Sequence, residues 1–403
     1  MDPAALFEHC LDIEGDVAAW SKRLPGGGGV YALLDDQDRL VLLSGAESLR
    51  RAVTFRLNPP PDASRKRADL RAVVRRIRWQ RTYSAFETAF EFHRLSRLLV
   101  PDRYMEMCAF GPCWFVHAKP ADRLPRLIVA KSLKTDGGVQ LGPFPTKAAA
   151  DRFVAILEDL FDLCRCFNVL ERAPRGEPCV YHQMGRCAAP CAGYSSLETY
   201  RALFAGAVEF GAGAWQEETG RWAHQMRRHA ARQQYEEANR IKQRIQRADE
   251  LRGENYRFVR PLDQFNYLVI QRGEGTSHLR PFFVRRGWIE RGASTRRNEL
   301  PVTAQTWVRL MQSAPQPPHD PDEELRTEWI WLVSHYLFQG DRAPGLFLGP
   351  DRWPVMDSWI GSVEERVLRT RSQSRMDWAP VEGSSPLHPP QHPPGAPPAQ
   401  EAS

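Results

Sequence analysis

Cys166, Cys179, Cys187 and Cys191 stand at C-x12-C-x7-C-x3-C, and no other stretch of this 403-residue chain gathers so many reactive side chains. Thiols this close together in one loop-rich segment act as ligands of a soft metal centre, as disulfide partners, or as small buried apolar residues. The chain opens on Met1, Asp2 and Pro3, without the charged start, apolar core and small-residue cleavage site of a secretory signal, so the expected location is cytoplasmic. In a reducing compartment clustered cysteines more often bind metal than form crosslinks, which favours a metal or iron–sulfur reading. Cys164 lies two residues ahead of the run.

A second chemical signal is charge. The formal net charge is only +6, yet between Arg65 and Arg81 eight basic residues face a single acid, Asp69. Charge distribution matters more than the sum for recognising a polyanion. Arg65, Lys66, Arg67, Arg71, Arg75, Arg76 and Arg78 are therefore the candidate phosphate-facing residues, as for a polyanion such as DNA.

These groups need elements to position them. The length suits several small domains, and no apolar run reaches membrane-spanning length. Residues 4–23 read as a helix, closed by Pro25 and the run Gly26 to Gly29. Two short apolar runs, 30–34 and 40–43, flank the polar turn Asp35-Asp36-Gln37-Asp38 as in a hairpin. A helix follows through Leu49, Val53 and Leu57, then a second over 66–77, a strand over 78–84 and a helix over 85–99. A further β-rich stretch precedes a helix at 146–161. Residues 196–251 are helical, broken near Gly211 and Gly213. Its last part carries Ala230, Ala231, Tyr235, Ala238, Ile241, Ile245 and Ala248 on one narrow stripe. Such a stripe suits a two-helix hairpin that lies against a partner or against its own protein. Strands return over 256–292, helices over 302–313 and 323–338, and beyond Ser372 a Pro- and Ser-rich stretch reads as a disordered tail.

The order of these pieces resembles a known family. The runs Leu24-Pro-Gly-Gly-Gly-Gly-Val30-Tyr31, Leu141-Gly-Pro-Phe-Pro145 and Pro178-Cys-Val-Tyr-His-Gln-Met-Gly-Arg-Cys-Ala-Ala-Pro-Cys191 are similar to the N-terminal half of UvrC, the incision subunit of bacterial nucleotide excision repair, and to its shorter relative, the Cho endonuclease. Tyr235-Glu236-Glu237-Ala238-Asn239 resembles the UVR motif through which UvrC meets UvrB, which makes Tyr235, Glu236, Glu237, Ala238 and Ile241 the candidate partner-binding residues. The resemblance implies an α+β multidomain protein. Its expected parts are an N-terminal helix at 1–23, a small mixed-sheet GIY-YIG-like nuclease domain at 24–105 and a β/α connector with the cysteine cluster at 106–195. A helical region at 196–252, with the UVR-like hairpin at 221–252, leads to a β domain at 256–300, a Trp-rich helical region at 301–372 and a tail at 373–403. It also implies that Cys166, Cys179, Cys187 and Cys191 hold a [4Fe–4S] cluster, with Cys164 to spare; tetrahedral zinc is the alternative, since four thiolates serve either centre.

The same resemblance marks departures. A GIY-YIG nuclease needs tyrosine and lysine near the attacking water, an arginine on the phosphate and a glutamate for one divalent metal. Tyr31 stands at the first tyrosine. The second tyrosine, the glycine, the lysine and the arginine fall on Leu42, Ser44, Gly45 and Ala52, and the glutamate on Phe92 with Glu91 beside it. Tyr31 and Glu91, the latter as the Mg2+ ligand, are the candidate catalytic residues, with Arg50 or Arg51 as substitute arginines. No acid trio in suitable context follows Gly292. The expectation is a DNA- and UvrB-binding relative with a degenerate, weak or inactive nuclease site; the alternative is an active Cho-like endonuclease making one metal-dependent incision.

Overall fold

The computed structural model describes residues 3–58, 70–313, 322–369 and 381–382, which fall into two compact units, 1–109 with the C-terminal pair and 110–375. In the first unit the elements are β1 (His9–Asp12), α1 (Val17–Ser21), β2 (Gly29–Leu34), β3 (Leu40–Ala46), α2 (Leu49–Leu57), β4 (Arg76–Arg81), α3 (Ala85–Leu99) and α4 (Tyr104–Met107). The strands lie in the order β1-β4-β2-β3, with Val381–Glu382 added beyond β3. Every described pairing is antiparallel, so the sheet is not the mixed one expected from sequence.

Alternation along β2 gives this sheet two apolar faces. Tyr31 and Leu33 join Leu42, Leu49, Val53, Leu57, Ile77 and Trp79 on the face covered by α2. Val30, Ala32 and Leu34 join Leu43, Phe92 and Leu95 on the face covered by α3. A methyl group on Gly29 would sit 2.3 Å from the Gln80 carbonyl oxygen and 2.8 Å from Leu49 Cδ1. The glycine run thus starts β2 where the chain passes closest to its neighbours.

Two expected helices are absent from this unit. Over 4–23 the chain forms β1 and the one-turn α1 instead. Gly15 at φ +71° breaks the run, Asp16 caps α1 by accepting from the Ala19 amide, and the ladder to β4, with Leu11 buried, outweighs helical propensity. Over 66–77 the described part is a single turn, Leu70–Ala72, followed by β4; 66–69 lie outside the described residues. Ile77 and Trp79 recur at period two and fill the α2-side core, and β4 is the strand that pairs with both β1 and β2. The described part of the basic run is therefore no helix face.

The second unit contains β5 (Trp114–Ala118), β6 (Leu127–Ala130), β7 (Val139–Phe144), α5 (Lys147–Leu160), α6 (Phe167–Leu170), α7 (Val180–Gln183), α8 (Leu197–Glu209), α9 (Trp215–Ala231) and α10 (Tyr235–Asp249). It continues through β8 (Arg260–Pro261), β9 (Tyr267–Arg272), β10 (His278–Arg285), β11 (Trp288–Arg291), β12 (Thr295–Arg296), α11 (Leu300–Gln312), α12 (Glu323–Leu337), β13 (Leu346–Leu348) and α13 (Met356–Val363). One sheet, β6-β5-β7-β8, packs Val116, Leu141 and Phe144 against Phe153, Ile156 and Leu157 of α5. The other, β11-β10-β9-β13 with β12 on β10, buries Leu268, Ile270 and Phe283 against Trp307, Trp353 and Trp359. The Trp-rich helices and the β strands before them accordingly share one core. No described helix is long and apolar enough to cross a membrane. The expected tail lies outside the described residues apart from Val381–Glu382.

Candidate functional site

Two places bring chemically capable side chains together, one in each unit. In the first, β2 and β3 set Tyr31 directly across from Ser44, and α2 runs over them. Leu49, Val53 and Leu57, four residues apart, are buried against the sheet. The neighbouring stripe, Ala52 and Arg56, therefore faces the strand ends. The result is a cavity of about 360 Å³ lined by Tyr31, Ser44, Glu47, Ser48, Arg51 and Arg56, among others. Tyr31 is only 1% exposed. Burial holds its phenol above the ordinary tyrosine range, against the opposing pull of the Arg56 charge and hydrogen bonds with Ser44 and Arg56. At neutral pH this hydroxyl is a hydrogen-bond partner, not a tyrosinate base.

Glu91 is not in that cavity. Its carboxylate is 2% exposed and accepts from Arg94 Nε at 2.9 Å, and Arg94 reaches on to Gln80 Oε1 at 3.4 Å. Gln80 pairs with Val30, and directly paired residues project to the same side of a sheet. Glu91 therefore belongs to the α3 face and Tyr31 to the α2 face, and the two candidate catalytic residues form no common site. Phe92, at the expected glutamate position, is a core residue of the α3 face. Of the two substitute arginines, Arg50 is committed to the carbonyls of Leu24 and Lys22, while Arg51 lines the cavity.

The basic run is also partly committed. Arg75 donates to the carbonyls of Arg71, Ala72 and Val74. Arg76 pairs with Asp12 at 2.7 Å and with Asp38. Arg71 lies in the turn before β4 and Arg78 within it. Arg65, Lys66 and Arg67 lie outside the described residues.

In the second unit, the thiols converge below α5. Asp162 at φ +49° turns the chain out of α5, Cys166 precedes α6 and Cys179 precedes α7. Gly185 at φ +68° and Ala189 at φ +48° then fold the chain back, and the Gly176 amide donates to the Cys191 carbonyl at 2.8 Å. A methyl group on Gly176 would meet the carbonyl oxygens of Cys191 and Val169 at 3.0 Å. Cys164, Cys187 and Cys191 are buried with Leu163, Leu170 and Phe204, and Cys166 packs on their edge. Cys164 is hydrogen-bonded with Cys187, which pulls Cys187 down to about 6 and holds Cys164 up. Burial raises Cys166, which is hydrogen-bonded with Cys179, and also raises Cys191. All cysteines are free thiols. The donor chemistry suits a soft metal centre, but among the described residues no three His, Cys, Asp or Glu side chains are already arranged around a common ion.

Ion pairs tie this module to the helical hairpin. Asp159 of α5 pairs with Arg165, with Arg186 at 3.8 Å and with Arg247 of α10 at 2.5 Å. Arg244 stacks 4.3 Å over the Trp222 ring and donates to the Leu160 carbonyl. The hairpin's apolar stripe is thereby divided. Ala248 is buried and Ile241 and Ile245 pack on the α5 core, and Ala238 is 9% exposed. Ala230, Ala231, Tyr235, Glu236 and Glu237 around the turn remain exposed, Tyr235 at 68%.

Residues 112–210, which contain the whole cysteine module, match the family described as UvrC/Cho excinuclease, middle domain. In this segment the chain is similar to UvrC. The UvrABC system protein C of Pasteurella multocida is 27% identical over 275 residues, which are 68% of this chain and 44% of that protein. The protein of the same name from Methylobacillus flagellatus is 30% identical over 227 residues, 56% of this chain and 37% of its own length. The chain thus spans less than half the length of the UvrC proteins it matches. No solved structure matches it. The Tyr31 cavity, Glu91 and the hairpin all lie outside the matched middle domain.

Sequence reasoning missed Glu47 and Arg56 as cavity residues. The signal was present for Arg56, which follows Ala52 by one helical turn and so shares its face.

Proposed function

We propose that this UvrC relative is a nucleotide excision repair protein that binds DNA and UvrB, and whose GIY-YIG-like site is degenerate and weak or inactive as a nuclease. The observation that carries this reading is the separation of Tyr31 from Glu91 by the thickness of the sheet. General base, arginine and metal carboxylate act as a set, and here Gly45 and Ala52 supply no charge, Glu91 is bound to Arg94, and the Tyr31 phenol is held neutral.

In this reading Cys166, Cys179, Cys187 and Cys191 hold a [4Fe–4S] cluster, or zinc. Such a centre closes the 164–191 loops onto α8 and adds its binding energy to the stability of the folded form. The exposed turn of the hairpin, with Tyr235, Glu236 and Glu237, meets UvrB, while Ala238 and Ile241 support it from within. Arg71, Arg78 and the run at Arg65, Lys66 and Arg67 contact DNA phosphates. Arg75 and Arg76, committed to carbonyls and carboxylates, shape the strand that carries Arg78.

The test is a nicking assay on a lesion-bearing duplex with Mg2+ and UvrB. Binding without incision is the expected result. Incision abolished by Tyr31→Phe would overturn it in favour of the second reading, an active Cho-like endonuclease, for which Glu47, the carboxylate among the described residues lining the Tyr31 cavity, would bind Mg2+.

A further inference from the structure

The Tyr31 cavity lacks an arginine at the position where the nuclease motif has one, yet it is not without a guanidinium. Ala52 occupies that position and leaves open space above the sheet. Arg56 follows four residues later on the same helix, about 6 Å further along the axis. Helical side chains lean toward the N-terminus and cover the turn before their own Cα. An arginine at 56 therefore reaches back over the surface that Ala52 leaves bare, and in the structure it lines the same cavity as Tyr31, where its charge acts on the Tyr31 phenol.

The surroundings form a built site for a single negative charge. Tyr31 and Ser44 are both buried, at 1% and 5% exposure, and both line the cavity. Arg51 and Arg56 contribute two positive charges and Glu47 one negative charge, which leaves a net charge of about one positive unit, matched to a phosphodiester. Arg50 cannot take part, because the carbonyls of Leu24 and Lys22 occupy it. A guanidinium presents two parallel N–H donors to phosphate oxygens, and the Tyr31 hydroxyl supplies a further donor beside them.

We propose that Arg56 holds a DNA phosphodiester in the Tyr31 cavity from one helical turn beyond the bare Ala52 position, so that the cavity binds a phosphate without hydrolysing it. This deepens the reading of the chain as a DNA-binding repair protein and rests on it for the source of the phosphate. No group is transferred and no bond is broken; Arg56 and Tyr31 donate hydrogen bonds and Arg51 contributes charge.

The experiment is a 31P NMR titration of the full chain with the dinucleotide TpT, which offers one phosphodiester and little else. Arg56→Ala is expected to weaken binding by about tenfold or more, the loss of a charge-assisted contact. Arg56→Lys should recover only part of it, since an ammonium lacks the fork. The decisive variant is Ala52→Arg combined with Arg56→Ala, which moves the guanidinium back one turn and is expected to restore binding. A merely structural role for Arg56 would show as loss of TpT binding together with a lowered melting temperature, unrescued by Ala52→Arg, and that result overturns the proposal. So does binding unaffected by Arg56→Ala. Lesion-duplex binding measured in parallel separates the two readings. If TpT binding depends on Arg56 while the wild-type chain ignores the duplex, the repair reading fails and the cavity stands. If the duplex binds and TpT is indifferent to Arg56, the reverse holds.

Discussion

The Tyr31 cavity and the cysteine module are built by opposite strategies. The cavity rests on regular structure: two paired strands fix Tyr31 against Ser44, and a helix with apolar residues every fourth position lies across them. Its framework is over-determined by the cores on both sides of the sheet, so it can tolerate changes in the groups it displays, such as those at positions 45 and 52. The cysteine module rests on the one-turn helices α6 and α7, on the positive-φ residues Asp162, Gly185, Ala189 and Gly193, and on a few backbone bonds. There the reactive side chains are themselves part of the core. A site displayed on a scaffold can lose its chemistry and keep its fold, whereas a site that is the core loses both together.

The largest test of that contrast is Cys187→Ser with Cys191→Ser. It should abolish iron or zinc binding, measured by metal analysis and visible absorption, and should destabilise the second unit by several kcal/mol, because structural metal sites contribute on the order of 10 kcal/mol. Cys164→Ser should keep its metal. Tyr31→Phe should leave melting within about 1 kcal/mol of wild type, the scale of one lost hydrogen bond. A large loss of stability from Tyr31→Phe, or none from the cysteine pair, would break the comparison.

Gly29→Ala should cost the first unit roughly 1–3 kcal/mol, the usual range for overpacking, because the new methyl group would press on the Gln80 carbonyl. Gly27→Ala meets nothing within 4 Å and should be close to neutral. Denaturant melts of the two variants would show whether the framework of the cavity is as tightly set as its packing indicates.

The hairpin offers a similar split over a shorter distance. Ile241→Asp, against the α5 core, should cost roughly 1–3 kcal/mol in thermal melts. Tyr235→Ala at the exposed turn should change stability by no more than about 0.5 kcal/mol while weakening capture of UvrB. Equal effects on melting would mean that the turn is packed rather than offered to a partner.

The remaining test concerns pH. Burial raises Glu158 from 4.5 to about 7 despite the Arg165 charge beside it. The folded state therefore binds more protons than the unfolded state between those values, and stability falls as pH rises through that window. Glu158→Gln should flatten this fall when melting temperatures at pH 5 and pH 7.5 are compared. A steeper fall in the variant would contradict the assignment.

Much of the second unit was legible in the sequence, because its helices are long and amphipathic and periodicity marks such elements well. The strand β4 was not. Its arginines alternate with Ile77 and Trp79 over only six residues, and a short basic run reads equally well as a helix face until its partners β1 and β2 are known. The N-terminal strand failed for the same reason, since β1 is defined by its ladder to β4 rather than by its own pattern.

The sequence by itself determined the thiols of the cysteine module, the similarity of its segment to the UvrC/Cho middle domain, and the absence of a charged side chain at Gly45 and Ala52, because these are statements about which atoms the chain carries. Only the tertiary structure decided which of those atoms meet. Strand pairing assigns each side chain to one face or the other at period two, and by that rule Glu91 lies across the sheet from Tyr31, while Arg56, from one helical turn beyond Ala52, lies beside it.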